Sequence, residues 1–260
     1  MDRINRLFFQ LFCVTVLLFG FGAAPAHAQS CAPATTQGTA PAGWETYCWL
    51  DFSTYNDTTA RSGAGQNFSF SLSDGSTLSF NLRVTPTGAT AFSSITAPSW
   101  TGAAVGNTAF LGIPGRPVLY TASAGAKSIT FSSILITPPP GAPAVSAYSF
   151  VAADAESTND GENLQFVTNG TGWTILDQVN PISGNTYPTI TGTGTNTFTE
   201  TGVAGTVGGY IVGSNSPTTV TTNMLAGGLQ GAMFAVRFAS MRLRKTITGA
   251  RVAASDQFTF

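Results

Sequence analysis

Residues 68–84, Phe68-Ser69-Phe70-Ser71-Leu72-Ser73-Asp74-Gly75-Ser76-Thr77-Leu78-Ser79-Phe80-Asn81-Leu82-Arg83-Val84, decide the fold. Every second residue is apolar on both sides of the turn dipeptide Asp74-Gly75. Side chains on a strand alternate between faces, so this pattern is a hairpin with one buried face. Further short runs of strand character follow, separated by turn signals: Ser128–Thr137, Tyr148–Ala153, Asn163–Thr168, Trp173–Asp177, Thr206–Val212, Thr218–Asn223 and Gly231–Ala239. No segment after the first 28 residues keeps a helical period over three turns. The chain reads as all-β, a sandwich or barrel in one main domain. Pro138-Pro139-Pro140-Gly141 reads as a linker or a surface crossover, and Thr189–Gly209 as long loops or an edge hairpin.

The N-terminus reads as an export signal. Arg3 and Arg6 precede a mostly apolar run, Leu7 to Gly22, and Ala26-His27-Ala28 forms a small-x-small cleavage site. The run is short for a bilayer span, which needs about 20 apolar residues, and no later stretch is longer, so no transmembrane span is expected. The expected divisions are a signal peptide at 1–28, a main domain at 29–240 and the start of a following β repeat module at 241–260. Removing the leader lowers Lys+Arg from 11 to 9 and Asp+Glu from 12 to 11, a net charge near −2. Five of the nine basic residues (Arg237, Arg242, Arg244, Lys245, Arg251) lie in the last segment. A phosphate backbone needs more positive charge than this, so nucleic acid is excluded as a partner.

The one histidine, His27, lies in the leader, so histidine triads, His-ligated zinc and histidine bases are excluded from the mature chain. Cys13 leaves with it. Cys31 and Cys48 remain, and an even pair in an exported chain reads as one disulfide.

The densest polar group is Asp154-Ala155-Glu156-Ser157-Thr158-Asn159-Asp160-Gly161-Glu162, directly after an apolar strand. Three readings are open. One is a solvated loop of Asx and Ser/Thr turns. Another is a structural calcium site through Asp154, Glu156, Asp160 and Glu162, because oxygen ligands on a loop suit a hard cation. The spacing is not that of an EF-hand, since position 12 from Asp154 is Gln165. The third is a glycosidase acid/base pair, in which continued strand geometry would put Asp154 and Glu156 on one side, ~6.5–7 Å apart. No other cofactor is expected.

A second candidate surface lies in Tyr47-Cys48-Trp49-Leu50-Asp51-Phe52. Alternation assigns Cys48, Leu50 and Phe52 to the core and puts Tyr47, Trp49 and Asp51 on the opposite face. That face reads as sugar- or peptide-binding; the alternative is that Trp49 lies under a loop or in a second contact layer. Trp44, Trp100 and Trp173 are expected to be mostly buried. No phosphate loop, metal-spaced cysteine set or nucleophile elbow occurs.

Residues 44–57 (WETYCWLDFSTYND) resemble the opening of the second non-repetitive domain of CshA-type bacterial surface adhesins. The resemblance continues through Phe68–Leu72 with Asp74-Gly75-Ser76, then Gly106-Asn107-Thr108-Ala109-Phe110. It returns at Val151–Thr158 with Gly161-Glu162, at Gly213-Ser214-Asn215-Ser216-Pro217, and from Gln230-Gly231 to Phe238. It implies a lectin-like β-sandwich of jelly-roll type, monomeric as a domain. The implied role is non-enzymatic binding of glycoprotein or glycan ligands, fibronectin among matrix proteins, by a secreted or cell-surface protein. The competing functions are a jelly-roll carbohydrate-active enzyme using carboxylates and a structural cap of a fibrous surface protein.

Overall fold

The computed structural model describes residues 29–85, 92–143, 147–205, 207–226 and 228–238. The leader at 1–28 and the segment at 241–260 lie outside the described residues. Seventeen strands make up the described chain: β1 (Gln29–Ala32), β2 (Thr36–Gly38), β3 (Tyr47–Leu50), β4 (Gln66–Ser71), β5 (Thr77–Thr85), β6 (Phe92–Ile95), β7 (Ala109–Leu111), β8 (Val118–Thr121), β9 (Gly125–Thr137), β10 (Ser149–Asp154), β11 (Asn163–Thr168), β12 (Thr174–Val179), β13 (Thr189–Thr191), β14 (Thr197–Thr201), β15 (Gly209–Asn215), β16 (Thr219–Ala226) and β17 (Gln230–Arg237).

The β4–β5 hairpin forms as its alternation requires. Phe68 faces Phe80 and Phe70 faces Leu78, while Gly75 takes φ +84° in the turn. The Asp74 carboxylate accepts the backbone N–H of Ser76 at 2.9 Å, an Asx turn that fixes the register. This hairpin belongs to a front layer ordered β1-β4-β5-β9-β16-β11-β14-β13. The back layer runs β12-β15-β10-β17, with β3 and β8 end to end along the far edge of β17, and β6 on β8. Strand β1 joins the layers at a corner: Gln29 and Ser30 pair with β4, and Cys31 and Ala32 pair with β3. The result is an all-β sandwich, as expected.

The main core lies between the layers and is dominated by phenylalanine. The Phe131 ring sits 4.5 Å from Phe234, 5.1 Å from Phe80 and 5.3 Å from Phe150, so it ties both layers together. Around Ser133 (φ +54°) strand β9 slips register against β5, and the extra residue keeps Ile134 and Ile136 on the inner face begun by Ile129 and Phe131.

The back layer is buried on both faces. Its outer side carries Tyr47, Trp49, Val151, Ala153, Ile211, Met233 and Ala235, covered by Ala104, Val105, Ala109, Phe110 and Ile113 from the segment before β8. This second core corrects the expected binding face: Tyr47 and Trp49 are each only 1% exposed. Their alternation away from Leu50 is real, but the opposite face meets a covering layer instead of solvent. Asp51 serves structure too, its Oδ1 accepting the backbone N–H groups of Ser53 (2.9 Å) and Arg116 (2.8 Å).

The covering segment is held by the Gly106–Phe110 motif. Asn107 Nδ2 donates to the carbonyls of Trp100 and Ala103, and Thr108 Oγ1 to those of Ala104 and Asn180. The Phe110 ring then meets Tyr47 and Trp49 edge-on at 5.0 and 5.4 Å.

The expected disulfide is present, joining Cys31 of β1 to Cys48 of β3 with Cα atoms 5.1 Å apart. Closing a short loop, it restricts the unfolded chain by about 3 kcal/mol. Reduction, or the double change to serine, should therefore lower the thermal midpoint by roughly 6–12 °C. A midpoint unmoved by reductant would show that the corner strand needs no staple.

The other expected strand and loop positions hold in outline. Pro138–Gly141 lies in the connection between β9 and β10, and part of Thr189–Gly209 forms the hairpin β13–β14 at the edge of the front layer. The run expected at Thr206–Val212 forms its strand later, at Gly209–Asn215, and five short strands (β1, β2 and β6 to β8) fall outside the expected runs.

Candidate functional site

Strand β10 ends at Asp154, where the chain turns back on itself. Asp154 Oδ1 accepts the N–H of Glu156 at 3.0 Å and Oδ2 that of Thr158 at 2.8 Å. Glu162 Oε2 accepts the N–H of Asn159 at 3.1 Å. Turn chemistry of the expected kind is therefore present, but the loop is not solvated: Asp154, Glu156 and Glu162 are only 3%, 6% and 7% exposed. Asp160 is exposed. Neighbours hold the loop in place: Ala155 N–H donates to Gly231 O at 3.1 Å, Ser99 Oγ to Ala155 O at 2.6 Å, and Gln230 Nε2 to Thr158 Oγ1 at 3.3 Å. Among the described residues no three histidine, cysteine or acidic side chains are grouped so as to hold a metal ion.

Burial raises the acids. Desolvation, aided by the Glu162 carboxylate, pushes Asp154 up to about 6 against the pull of its backbone donors. Desolvation, then Asp154 and Glu162, push Glu156 up to about 8. A fourth acid joins from the front layer. Glu200 on β14 is 0% exposed, and burial followed by the nearby Asp154 carboxylate drives it well above the ordinary range. The Tyr210 backbone amide offsets part of this penalty, yet neither Glu200 oxygen completes a hydrogen bond of normal geometry. Glu200 was not among the expected site residues; it sits in a Thr-rich segment far along the chain from the acidic loop, and its alternation with Phe198 was the one local signal.

Three segments meet beside Glu156 to form a cleft of about 460 Å³, lined by Trp100, Glu156, Asn159, Asp160, Glu162 and Leu229, with Gly228 at the turn. Trp100 departs from expectation, being 40% exposed. Its ring lies flat on Gly102, where any Cβ would overlap the indole carbons, so that glycine seats the ring. The signal was available: Trp100 stands amid Ala-Pro-Ser and Thr-Gly, a turn-rich context without strand alternation. The site thus brings together Glu156, Asp160 and Glu162, sets Asp154 behind them, and leaves Tyr47, Trp49 and Asp51 elsewhere.

The connecting loops of the two-layer β-sandwich thus gather an exposed tryptophan and carboxylates into one cleft. Residues 45–237 match the family described as surface adhesin CshA non-repetitive domain 2, and the chain belongs to that family. It therefore carries a surface adhesin domain, whose place is the cell surface or the secreted fraction, and whose family points to a non-enzymatic role. No curated protein and no solved structure matches the chain. No helix among the described residues is long and apolar enough to cross a membrane.

Proposed function

We propose that residues 1–28 export the chain and that residues 29–240 act outside the cell as a monomeric, non-enzymatic domain recognising glycoprotein or glycan ligands. Residues 241–260 open a following β module. The ligand-contacting site is the Trp100 cleft, and the observation that carries it is Trp100 itself. Trp49 and Trp173 are fully buried, whereas Trp100 offers an indole face to solvent beside acidic side chains. Exposed aromatics rimmed by polar groups are where binding energy concentrates. An indole beside carboxylates suits ligand groups rich in hydrogen-bond donors or positive charge.

The test is binding of the full chain to arrays of matrix glycoproteins and glycans. Trp100→Ala should weaken binding by about 30-fold or more, a hot-spot effect of at least 2 kcal/mol, with the thermal midpoint unchanged. Undiminished binding by that variant would move the site elsewhere, and the absence of any saturable ligand would favour the structural cap. One observation favours a second reading, glycoside hydrolysis. Glu156, raised to about 8, would be protonated at neutral pH and faces the same cleft as Glu162, as a general acid and its partner would. Turnover of a bound glycan, abolished by Glu156→Gln, would establish that reading; binding without turnover supports the adhesin.

A further inference from the structure

The outer face of the front layer carries a second concavity, built from different chemistry. One row of solvent-facing side chains crosses five adjacent strands in register: Thr85 opposite Ser128, Ser128 opposite Asn223, Asn223 opposite Gln165, and Gln165 opposite Thr199. The row is bonded sideways. Thr85 Oγ1 and Ser128 Oγ are 2.5 Å apart, Asn223 Nδ2 donates to Gln165 Oε1 at 3.0 Å, and Gln165 Nε2 donates to Thr199 Oγ1 at 3.2 Å. These bonds fix which way each amide points. Each amide spends one donor hydrogen laterally and keeps its second for another partner, and the Asn223 Oδ1 is an acceptor outside the ladder.

A groove of about 540 Å³ opens over this row, bounded by Leu225, which is half exposed. Among the described residues no carboxylate lines it, and the one cation, Lys127, is turned away, with Nζ donating to the backbone carbonyls of Ser123 and Ala124. The groove therefore combines oriented neutral donors and acceptors with an apolar wall and holds no counter-ion for a charged ligand.

We propose that this groove is a second binding site, separate from the Trp100 cleft, and that it takes a neutral saccharide. Sugar hydroxyls donate and accept at once, so adjacent hydroxyls can meet a side-chain amide whose donor and acceptor are already oriented, while a C–H face of the ring packs on Leu225. Electrostatic complementarity points the same way. A sialylated or sulfated sugar, or a charged peptide side chain, would lose hydration here without gaining an opposite charge.

The experiment prints neutral hexose and N-acetylhexosamine oligosaccharides beside their sialylated and sulfated counterparts and probes them with the full chain. Neutral sugars should be bound in preference. Asn223→Ala and Gln165→Ala should each weaken that binding about tenfold, and Asn223→Asp, which keeps the size but adds a charge, should weaken it at least as much. Trp100→Ala should leave it unchanged, which separates this site from the cleft. Preference for charged sugars, absence of neutral-sugar binding, a peptide in place of a sugar, or loss with Trp100→Ala alone would each overturn the proposal. Thermal unfolding of every variant identifies any that fails to fold, and the remaining amide variant then decides.

Discussion

Phe110→Ala should destabilise the domain by about 3–5 kcal/mol and lower its thermal midpoint by roughly 6–20 °C. The ring is fully buried and is the contact through which the covering segment meets Tyr47 and Trp49. Its removal leaves a cavity against two large aromatics that cannot collapse, because both are fixed in β3. Phe110 also has φ +56°, a conformation that a non-glycine residue occupies at a cost, so the packing of the ring offsets backbone strain. Alanine keeps the strain and loses the packing. The same covering segment carries Trp100 at its start, so the variant should weaken cleft binding as well as stability. Thermal unfolding and tryptophan emission check this together: emission should shift to the red as Trp49 meets water. A loss under about 1 kcal/mol with unshifted emission would mean that the segment is held by its hydrogen bonds and not by the ring.

That prediction rests on a layer the sequence does not announce. The β4–β5 hairpin is legible because one face is buried and one is wet, which forces strict alternation from Phe68 to Val84. The back layer has no wet face over much of its area. Strands β10, β15 and β17 are buried nearly throughout, so Phe150-Val151-Ala152-Ala153 and Met233-Phe234-Ala235-Val236 read as apolar runs without a side. Tyr47 and Trp49 suffer the same ambiguity. Parity separates them correctly from Leu50, but parity cannot say whether the opposite face meets water or a loop folded back from residues 104–113.

The candidate site divides in the same way. The acidic loop is conspicuous as composition, and its Asx turn follows from Asp154 preceding Glu156 and Thr158. Its burial is invisible, because the atoms that exclude water belong to Gly231, Gln230 and Ser99, distant along the chain. Glu200 lies further still from any local signal. Alternation with Phe198 on β14 does place it on the inner face, and a carboxylate two residues from a buried phenylalanine on one strand was the clue available.

Stability should fall as pH rises from 5 to 8, contrary to the usual optimum near neutrality, and Glu200→Gln should flatten the slope. Asp154, Glu156 and Glu200 are all raised above their ordinary values, and among the described residues no cation contributes to any of the three. The described groups facing them are themselves acids or neutral: Glu162 beside Asp154 and Glu156, Tyr120 beside Glu156, and Tyr210 beside Glu200. Below pH about 4 these carboxyls are protonated in both folded and unfolded chains and contribute nothing to the slope. Above the ordinary carboxylate range the unfolded chain loses the protons while the folded chain retains them, until about 6 for Asp154 and about 8 for Glu156. Within that window the folded state binds more protons, so each group lowers stability by about 1.4 kcal/mol per pH unit. One group acting over two units costs about 3 kcal/mol, or roughly 6–12 °C in midpoint. Glutamine at 200 keeps the shape, cannot ionise and removes one such contribution. Thermal unfolding at pH 5, 6, 7 and 8 for both proteins reads the effect directly; a midpoint that climbs with pH, or parallel curves for the two, would sink it. The consequence reaches the cleft through Glu156. As pH approaches 8 that carboxyl ionises, so the cleft gains negative charge over the same interval in which the fold loses stability. Affinity for a positively charged ligand and resistance to unfolding should therefore move in opposite directions with pH, and Glu156→Gln, fixed in the neutral form, should hold both nearer their low-pH values.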